Sequence, residues 1–449
     1  MFFNKSVFFK MFWNIKVTNF SMFMNFFIFL TLYLMFQYGD NPSNLSSTFI
    51  IDMFNFPIII MTIFLMMTYN LANFYSLNLI MIMFFSCITF SVNSLILFYI
   101  FFELNLVPIF LLIMGWGYQP ERIYATKMMI MYTLFGSLPM LVMLINFQMM
   151  DQISISFLSQ SSFFDNIMPI FMILALLIKL PIFLLHMWLP LAHVEAPLMG
   201  SMVLASVMLK LGGYGLVRLM SVVMNPINSL NHFLFSIFIM GGTMAMLFCI
   251  TQVDLKIIIA YSSVGHMSMV AATLFSYSWS GFLAAMIMMI AHGFTSSLMF
   301  FCAGMMYMKS NSRHMLMNKG TLTLSPKIVL FWFLALLMNA GGPPKSNLMS
   351  EILTVFSLIS TSYFSFIPLV VSLMLGMLFN MKMYSITSQG SLTNNFFSGQ
   401  ELMLSWKMSA YFHIMLAFLM ILSMPYMMNF FSDLMFFVVL DYYQVETEL

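Results

Sequence analysis

Eight ionisable side chains lie within or close to long apolar stretches of the sequence. They are Glu103, Lys179, Lys210, Arg218, His266, His292, Glu351 and Lys382. A charged side chain at the centre of an apolar membrane span costs about 2.5–3.5 kcal/mol on insertion scales, so these residues are not expected to face lipid. We expect them to face one another inside a helix bundle, where such groups mark paths for ions or protons.

Glu103 and Lys179 have the chemistry of a proton-sharing pair. Glu103 is the only charged residue in SLILFYIFFELNLVPIFLLIMGW, and Lys179 lies just before Pro181, which removes a helix hydrogen bond. Burial disfavours the charged form of an isolated carboxylate or lysine, whereas two such groups placed together titrate as a coupled pair. We predict that their charged ends lie within several ångströms of each other in neighbouring helices. A purely structural ion pair between two helices is the alternative.

Lys210 and two buried histidines could carry protons further. Three glycines follow Lys210 closely, which would let another helix or a water molecule approach it. His266 and His292 have hydroxyl neighbours that could hold water, namely Ser262, Ser263, Ser268, Thr295, Ser296 and Ser297. Either histidine alone is more simply explained as a polar residue of the core. Together these groups have the composition of a proton relay, with Lys210 as its switching centre and Glu351 as its far terminus.

The segment that follows the first proline break carries His186, His193 and Glu195. Pro190 separates the two histidines, so they are not expected to share one helix face as metal ligands. We expect His193 and Glu195 to lie in a loop between two helices. Two roles stay open for them: they could cap helix ends and contact a neighbouring element, or they could take part in proton uptake.

The overall composition is that of a membrane protein. Of the 449 residues, 62% are hydrophobic and 7% are charged, whereas soluble proteins have about 25% charged residues. The net charge of +2 and the absence of a basic run give no sign of a nucleic-acid partner. Cys87, Cys249 and Cys302 lack a CxxC spacing, and the sequence has no phosphate-binding glycine loop. We therefore expect no metal or cofactor in this chain.

Apolar stretches long enough to span a bilayer recur about thirteen times along the chain. They cover roughly 20–36, 50–69, 75–92, 94–114, 124–147, 167–189, 197–219, 231–250, 256–276, 280–307, 326–361 (interrupted), 365–387 and 408–430. Backbone groups in lipid must be satisfied within their own segment, so these stretches are expected to be helices. The sequence predicts an all-α polytopic membrane protein with about 13–14 transmembrane helices, two of them broken at prolines.

A weak internal repeat links the two proline breaks. Lys179 and Glu351 each lie beside a break, and each is followed 31 residues later by a lysine, Lys210 and Lys382. Transporter folds often carry inverted repeats with broken helices at corresponding positions. We therefore expect two inverted antiporter-like repeats, flanked by N-terminal helices and by a C-terminal helix with an acidic tail. The four regions are 1–90, 91–225, 226–390 and 391–449.

Five motifs of the chain closely resemble those of one family. They are LVPIFLLIMGWGYQPER (106–122), KLPIFLLHMWLPLAHVEAP (179–197), MLKLGGYG (208–215), DLKIIIAYSSVGHM (254–267) and MIAHGFTSSLMF (289–300). In these motifs the chain resembles the NADH–ubiquinone oxidoreductase chain 4 family, the antiporter-like membrane subunits of mitochondrial complex I. The resemblance covers roughly 90–440.

The resemblance implies a subunit of the mitochondrial inner membrane that couples NADH:ubiquinone electron transfer to proton translocation. It implies a relay made of a Glu–Lys pair, a central lysine, two linking histidines and a terminal carboxylate, at Glu103, Lys179, Lys210, His266, His292 and Glu351. NADH, FMN, iron–sulfur clusters and ubiquinone are expected on other subunits. The implied partners are the other membrane-arm subunits, including neighbouring antiporter-like ones, and membrane lipids.

Two features depart from the family's pattern. The family usually has Lys at the position of Leu191, and near the second break it usually has a neutral residue at Lys345 and Gly at Ser350. Neither departure touches the implied relay. Two other functions stay open. A free-standing cation/proton antiporter would move ions without an electron donor, and in a structural membrane-arm subunit the buried charges would only fix helix packing.

Overall fold

The described part of the chain is built from helices. The computed structural model describes residues 55–74, 76–148, 168–223, 228–342, 346–391 and 404–419. In chain order the α-helices are α1 Phe56–Leu71, α2 Leu77–Ser91, α3 Leu95–Leu104, α4 Leu106–Trp116, α5 Arg122–Gln148, α6 Met168–Lys179, α7 Trp188–Glu195, α8 Leu198–Val203, α9 Leu209–Val223, α10 Asn228–Thr251, α11 Leu255–Leu274, α12 Trp279–Ser310, α13 Thr321–Leu324, α14 Pro326–Asn339, α15 Ser346–Thr361, α16 Phe366–Ser388 and α17 404–419. A π-helical turn, Leu204–Met208, joins α8 to α9.

Seven helical segments in the described ranges are long and apolar enough to cross a membrane, judged by length and composition. They are Leu95–Trp116, Arg122–Ile145, Leu198–Leu219, His232–Thr251, Leu255–Leu274, Trp279–Ser310 and Tyr363–Ser388. Five shorter apolar helices of 10–17 residues accompany them. The predicted all-α polytopic fold is confirmed. The span predicted at 20–36 lies outside the described residues, and the division into two inverted repeats stays a prediction.

The buried centre of the bundle consists of three helical segments. The spans Leu198–Leu219, Leu255–Leu274 and Trp279–Ser310 are 94%, 89% and 94% buried, whereas Arg122–Ile145 and Tyr363–Ser388 are each 33% buried. The apolar outer faces of the last two suit contact with lipid. The relay candidates of the three central segments therefore lie away from lipid, as the sequence predicts.

The first predicted helix break lies next to Lys179. The residue ends α6, Pro181 follows it, and the chain turns until α7 begins at Trp188. Leu184 adopts a left-handed conformation with φ of 87° in this connection. The indole N–H of Trp188 donates to the Ile178 carbonyl oxygen at 3.0 Å. That bond satisfies one of the carbonyl groups that the end of a helix leaves without an amide partner.

A second break follows α14. The helix ends at Asn339, Gly341 adopts a left-handed conformation with φ of 67°, and α15 begins at Ser346. The position of this break agrees with the prediction, and the two prolines that predicted it, Pro343 and Pro344, lie outside the described residues.

The prediction that His193 and Glu195 lie in a loop is wrong. Both residues lie in the last turn of α7 and are 0% and 4% exposed. Pro190 is in the first turn of this helix, where a missing backbone N–H deprives the helix of no hydrogen bond. Proline at this position is compatible with the start of a helix, and Pro197 follows its end.

Candidate functional site

Glu103 and Lys179 form a loose ion pair at the first break. Lys179 Nζ lies 3.6 Å from Glu103 Oε1, and the two side chains are 3% and 19% exposed. This distance confirms the predicted proximity of the charged ends, but it is longer than a hydrogen bond. The ammonium group of Lys179 instead donates to the carbonyl oxygen of Phe102 and lies 3.0 Å from the centroid of the Phe102 ring. Coulomb attraction, rather than a hydrogen bond, therefore joins the pair.

A helix interruption also positions Glu103. α3 ends at Leu104 and α4 begins at Leu106, with Pro108 in its first turn. A proline ring clashes with the carbonyl group four residues earlier, so the helix bends at this point. The side-chain amide of Asn105 donates to the Phe101 carbonyl oxygen at 2.9 Å. Both members of the ion pair thus lie beside interrupted backbone.

Lys210 is fully buried and bonded on two sides. Its Nζ donates to the Ala205 carbonyl oxygen at 2.7 Å and lies 2.9 Å from His292 Nδ1. Ala205 belongs to the π-helical turn Leu204–Met208, in which i→i+5 bonding replaces regular helical bonding. This altered backbone bonding leaves the Ala205 carbonyl oxygen available to accept from Lys210. Such turns recur at functional sites.

The glycines after Lys210 bring other helices close, as predicted. A Cβ atom on Gly212 would lie 2.6 Å from the Leu180 backbone nitrogen and 3.0 Å from the Lys179 carbonyl carbon. The helix that carries Lys210 therefore packs directly against the backbone of the first break. Gly213 and Gly215 approach Met289 and Leu176 in the same way.

The two histidines lie side by side at the centre of the bundle. The ring centroids of His266 and His292 are 5.6 Å apart, and the rings are inclined by 53°. His266 also interacts with the side chain of Asn339, which donates to Asn380 Oδ1 at 3.3 Å. The structure thus brings Lys210, His292 and His266 into one buried polar chain.

Most hydroxyl neighbours of the histidines bond to their own helices. Ser262, Ser263, Ser268, Thr295 and Ser297 each donate to a carbonyl oxygen three residues earlier. Such a hydroxyl group keeps its acceptor capacity, because its oxygen has two lone pairs. The prediction that these groups hold water therefore stays a prediction.

Glu351 lies apart from the other candidates, on α15. Its carboxylate is next to Gly341, where a Cβ atom would collide with it. Within the described ranges no cationic nitrogen lies within 4.0 Å of this carboxylate. The neighbouring Ser350 hydroxyl contacts Met288 Sδ at 3.4 Å, and Met288 lies one helical turn before His292. The start of α15 thus packs on the part of α12 that carries His292.

A small cavity lies beside Lys179 and the π-helical turn. It offers about 10 Å³ to a water molecule, and its lining includes Lys179, Thr133, Trp188, Leu204 and Met208. Its accessible lining is apolar, and apolar cavities stay dry. The cavity therefore touches both the paired lysine and the turn that precedes Lys210.

Spacing along the chain does not predict the polar cluster that lies at the C-terminal end of α7. Lys256 donates to the Ala196 and Val194 carbonyl oxygens at 2.8 and 3.3 Å. Arg313 donates to Val194 at 2.8 Å, and its Nη1 lies 3.9 Å from Glu195 Oε1. These cations bind the C-terminal end of α7, where the helix dipole favours positive charge. The ion pair favours the structural role of Glu195.

Lys382 and Arg218 do not join the relay candidates in the way the sequence predicted. Lys382 donates to the Ile250 carbonyl oxygen at the end of α10. Arg218 donates to Tyr214 Oη at 2.7 Å. The first contact joins α16 to α10, whereas the second joins two residues one turn apart on α9. The internal repeat that pairs Lys382 with Lys210 stays a prediction.

Comparisons with known proteins agree with this architecture. Residues 92–378 match the family described as "NADH:quinone oxidoreductase/Mrp antiporter, TM". NADH-ubiquinone oxidoreductase chain 4 of Ceratitis capitata is 40% identical to this chain over 330 residues, 73% of this chain and 74% of that protein.

Two solved structures have a similar fold. A chain of "Respiratory complex I from Thermus thermophilus with bound NADH" has a TM-score of 0.79 and 20% identity, and the match covers 92% of both chains. A chain of the Mrp complex from Dietzia sp. DQ12-45-1b has a TM-score of 0.78 and 15% identity, covering 84% of this chain and 82% of that one. At these identities the similarity shows the shared fold alone.

Proposed function

Because this chain belongs to the NADH:quinone oxidoreductase/Mrp antiporter family and has NADH-ubiquinone oxidoreductase chain 4 among its relatives, we propose that it translocates protons in the membrane arm of respiratory complex I. It is a multi-pass subunit of the mitochondrial inner membrane. Electron transfer from NADH to ubiquinone takes place on other subunits, which hold the flavin, the iron–sulfur clusters and the quinone. Its partners are other membrane-arm subunits and lipids.

The contact between Lys210 and His292 is the observation that carries this proposal. A fully buried lysine lies 2.9 Å from an imidazole nitrogen, and a second imidazole follows at a centroid distance of 5.6 Å. A neutral imidazole can accept a proton on one nitrogen and release one from the other. Lys210, His292 and His266 therefore form the central part of the relay.

The Glu103–Lys179 pair acts as the switch of this relay. While Lys179 lies beside Glu103, the carboxylate compensates its charge. When the pair separates, the charge of Lys179 disfavours a second proton on Lys210. Two unit charges about 8 Å apart repel by about 2 kcal/mol at an effective dielectric constant of about 20. This is close to the cost of moving one charge across 100 mV, about 2.3 kcal/mol.

Glu351 is the terminal proton acceptor in this proposal. The packing of α15 on α12, through Ser350 and Met288, supports a short path from the histidines. The second break beside Gly341 interrupts the helical backbone there, and an interrupted helix can admit water to a site at membrane depth.

Replacing Lys210 tests the proposal in the assembled complex. Lys210→Met removes the proton carrier, and Lys210→Arg keeps a charge that does not release its proton. We expect both variants to slow proton transfer through this subunit about 100-fold. The measurement is the number of protons pumped per NADH oxidised in coupled membranes, after assembly has been checked on native gels. Lys327→Met, at an exposed position on α14, is the control.

Two results would contradict this function. If Lys210→Arg pumps as many protons per NADH as the wild type, Lys210 is a fixed charge and the relay is wrong. If Lys210→Met lowers assembly but leaves pumping per electron unchanged, the chain is a structural subunit. A free-standing antiporter would instead exchange cations for protons in vesicles that lack any electron donor.

A further inference from the structure

A hydrogen bond joins α1 to the π-helical turn that precedes Lys210. Tyr69 Oη lies 3.2 Å from Ser206 Oγ, and the two residues are 137 positions apart in the chain. Both side chains are buried, at 2% and 0% exposed. The hydroxyl group of Ser206 donates to the Val203 carbonyl oxygen at 3.4 Å, so its oxygen can accept the hydroxyl hydrogen of Tyr69. The end of α1 is thereby bonded to the residue that follows Ala205, whose carbonyl oxygen accepts from Lys210.

The same helix contacts α12 beside the histidine partner of Lys210. Gly293 follows His292, and a Cβ atom on Gly293 would collide with Met61 Sδ of α1. The helix α1 therefore touches both segments that meet in the contact between Lys210 and His292.

The backbone that carries Tyr69 is itself held by α17. Ser409 Oγ donates to the carbonyl oxygen of Thr68, the residue before Tyr69, at 3.0 Å. Ser409 and Thr68 are both 0% exposed. Tyr69 therefore extends towards Ser206 from helical backbone that a third segment keeps in place.

The register of the π-helical turn decides where Lys210 points. A π-helical turn holds one residue more than an α-helical turn, and one residue corresponds to about 100° of rotation in an α-helix. If the turn relaxed to α-helical bonding, Lys210 would rotate by about that angle relative to α8, away from His292. The relaxation would also separate Ser206 from Tyr69 and leave a buried hydroxyl group without its partner, which is unfavourable.

We propose that Tyr69 is a positioning residue for proton transfer: its hydrogen bond to Ser206 holds the π-helical turn in the register that directs Lys210 to His292. Tyr69 acts through Ser206 and exchanges no proton with the relay. Its helix lies before residue 92, where the match to the family begins, so a segment outside the matched region contributes to the site. This inference rests on the proposed function.

The test compares Tyr69→Phe with the wild type in the assembled complex. Phenylalanine keeps the ring and its packing and removes only the hydroxyl group. We expect NADH-driven proton transfer through this subunit to slow roughly 2- to 12-fold, the factor that one internal hydrogen bond is worth. The amount of complex on native gels should stay the same. A bond that only stabilises the fold would instead lower assembly and leave the pumping rate per assembled complex unchanged, and that result overturns the inference.

Ser206→Ala removes the other half of the bond and should slow proton transfer by a similar factor. The double variant of Tyr69→Phe and Ser206→Ala should be no slower than the slower single variant, because both changes break the same bond. If the two effects multiply, the residues act independently and the inference is wrong.

Two other buried hydroxyl groups serve as matched controls. Thr62 lies about two turns before Tyr69 on α1 and donates to the Ile59 carbonyl oxygen at 2.7 Å. Ser201 lies on α8, before the π-helical turn, and donates to the Leu198 carbonyl oxygen at 2.7 Å. Thr62→Val and Ser201→Ala should pump as the wild type does. If they slow pumping as much as Tyr69→Phe does, the loss of any buried hydroxyl group has this effect, and the inference fails.

A structure of the Tyr69→Phe complex gives a measurement that does not depend on pumping. An electron cryomicroscopy map should show Lys210 Nζ displaced from the Ala205 carbonyl oxygen, and an unchanged turn would contradict the inference. Normal pumping by Tyr69→Phe, together with loss of pumping in Lys210→Arg, overturns the role of Tyr69 alone. Normal pumping by both variants overturns the relay itself, and the proposed function with it.

Discussion

The ammonium group of Lys179 is held more firmly by a neutral oxygen than by a charged one. It donates to the Phe102 carbonyl oxygen, while the Glu103 carboxylate lies at 3.6 Å, beyond hydrogen-bonding distance. A carboxylate at this distance attracts the lysine without fixing its position. The charge of Lys179 can therefore be compensated or released by small movements, which is what a switch requires.

Replacing Glu103 by glutamine should uncouple this switch without collapsing the site. Glutamine has the same shape but no charge, and Lys179 keeps its hydrogen bond to Phe102. The buried lysine then lacks its compensating charge and holds its proton less often. We expect pumping through this subunit to fall roughly 5- to 150-fold, the usual range of coupling between two sites. Protons pumped per NADH in the assembled complex are the measurement.

Glu103→Asp is the matched control for this prediction, because it keeps the charge and shortens the side chain by one methylene group. It should retain more pumping than Glu103→Gln. Wild-type pumping by the glutamine variant would mean that the ion pair only joins two helices.

The candidate residues themselves could be predicted from the sequence, because charged groups are conspicuous in an apolar span. Glu103, Lys179, Lys210 and His292 are conspicuous in this way, and the structure places Glu103 close to Lys179 and Lys210 close to His292. Asn339 could not be predicted, since an uncharged amide at the end of an apolar helix has no distinctive pattern. Its interaction with His266 depends on where the fold places the end of α14.

The charged groups of the candidate relay whose contacts are described above lie next to irregular helical backbone. Lys179 ends a helix, and Lys210 follows a π-helical turn. Pro181 predicts the first of these features, because proline removes a backbone donor. The π-helical turn Leu204–Met208 contains neither glycine nor proline, so nothing local predicts it.

The contact between α9 and the first break gives a prediction at the scale of helices. The backbone of Lys179 and Leu180 leaves no room for a Cβ atom on Gly212, and backbone cannot give way easily. Gly212→Ala should therefore separate the two elements and destabilise the subunit by about 1–3 kcal/mol, as overpacked cores do. The melting temperature of the purified complex should fall, and pumping should fall with it.

Gly376→Ala is the control for the Gly212 variant. Gly376 lies on α16 with no atom within 4 Å of a Cβ placed there. Alanine in a helix is more stable than glycine by about 0.5–1 kcal/mol, so this variant should melt at or slightly above the wild-type temperature. If the two variants melt at the same temperature, the stability of the subunit does not depend on close contact between α9 and the first helix break.

On the scale of the whole molecule, one end of the bundle joins segments that are distant in the chain. Lys256 and Arg313 both donate to carbonyl groups at the end of α7. The backbone N–H of Leu255 donates to the Arg313 carbonyl oxygen at 3.1 Å. The broken helix that carries Lys179 is therefore anchored to the second half of the chain. Only the fold brings these residues together, so their spacing along the chain does not predict the cluster.

The anchoring role of Glu195 leads to a prediction for the assembly of the complex. Glu195 is buried, and its partner Arg313 is 21% exposed, so the ion pair is only partly screened by solvent. Glu195→Gln should cost about 1–3 kcal/mol, less than the loss of a fully buried pair. We expect less assembled complex on native gels but unchanged protons pumped per NADH in the complex that does assemble. Lys327→Met, at an exposed position on α14, should change neither quantity. Normal assembly with reduced pumping in Glu195→Gln would instead assign this residue to proton uptake, and the end of α7 would then belong to the relay.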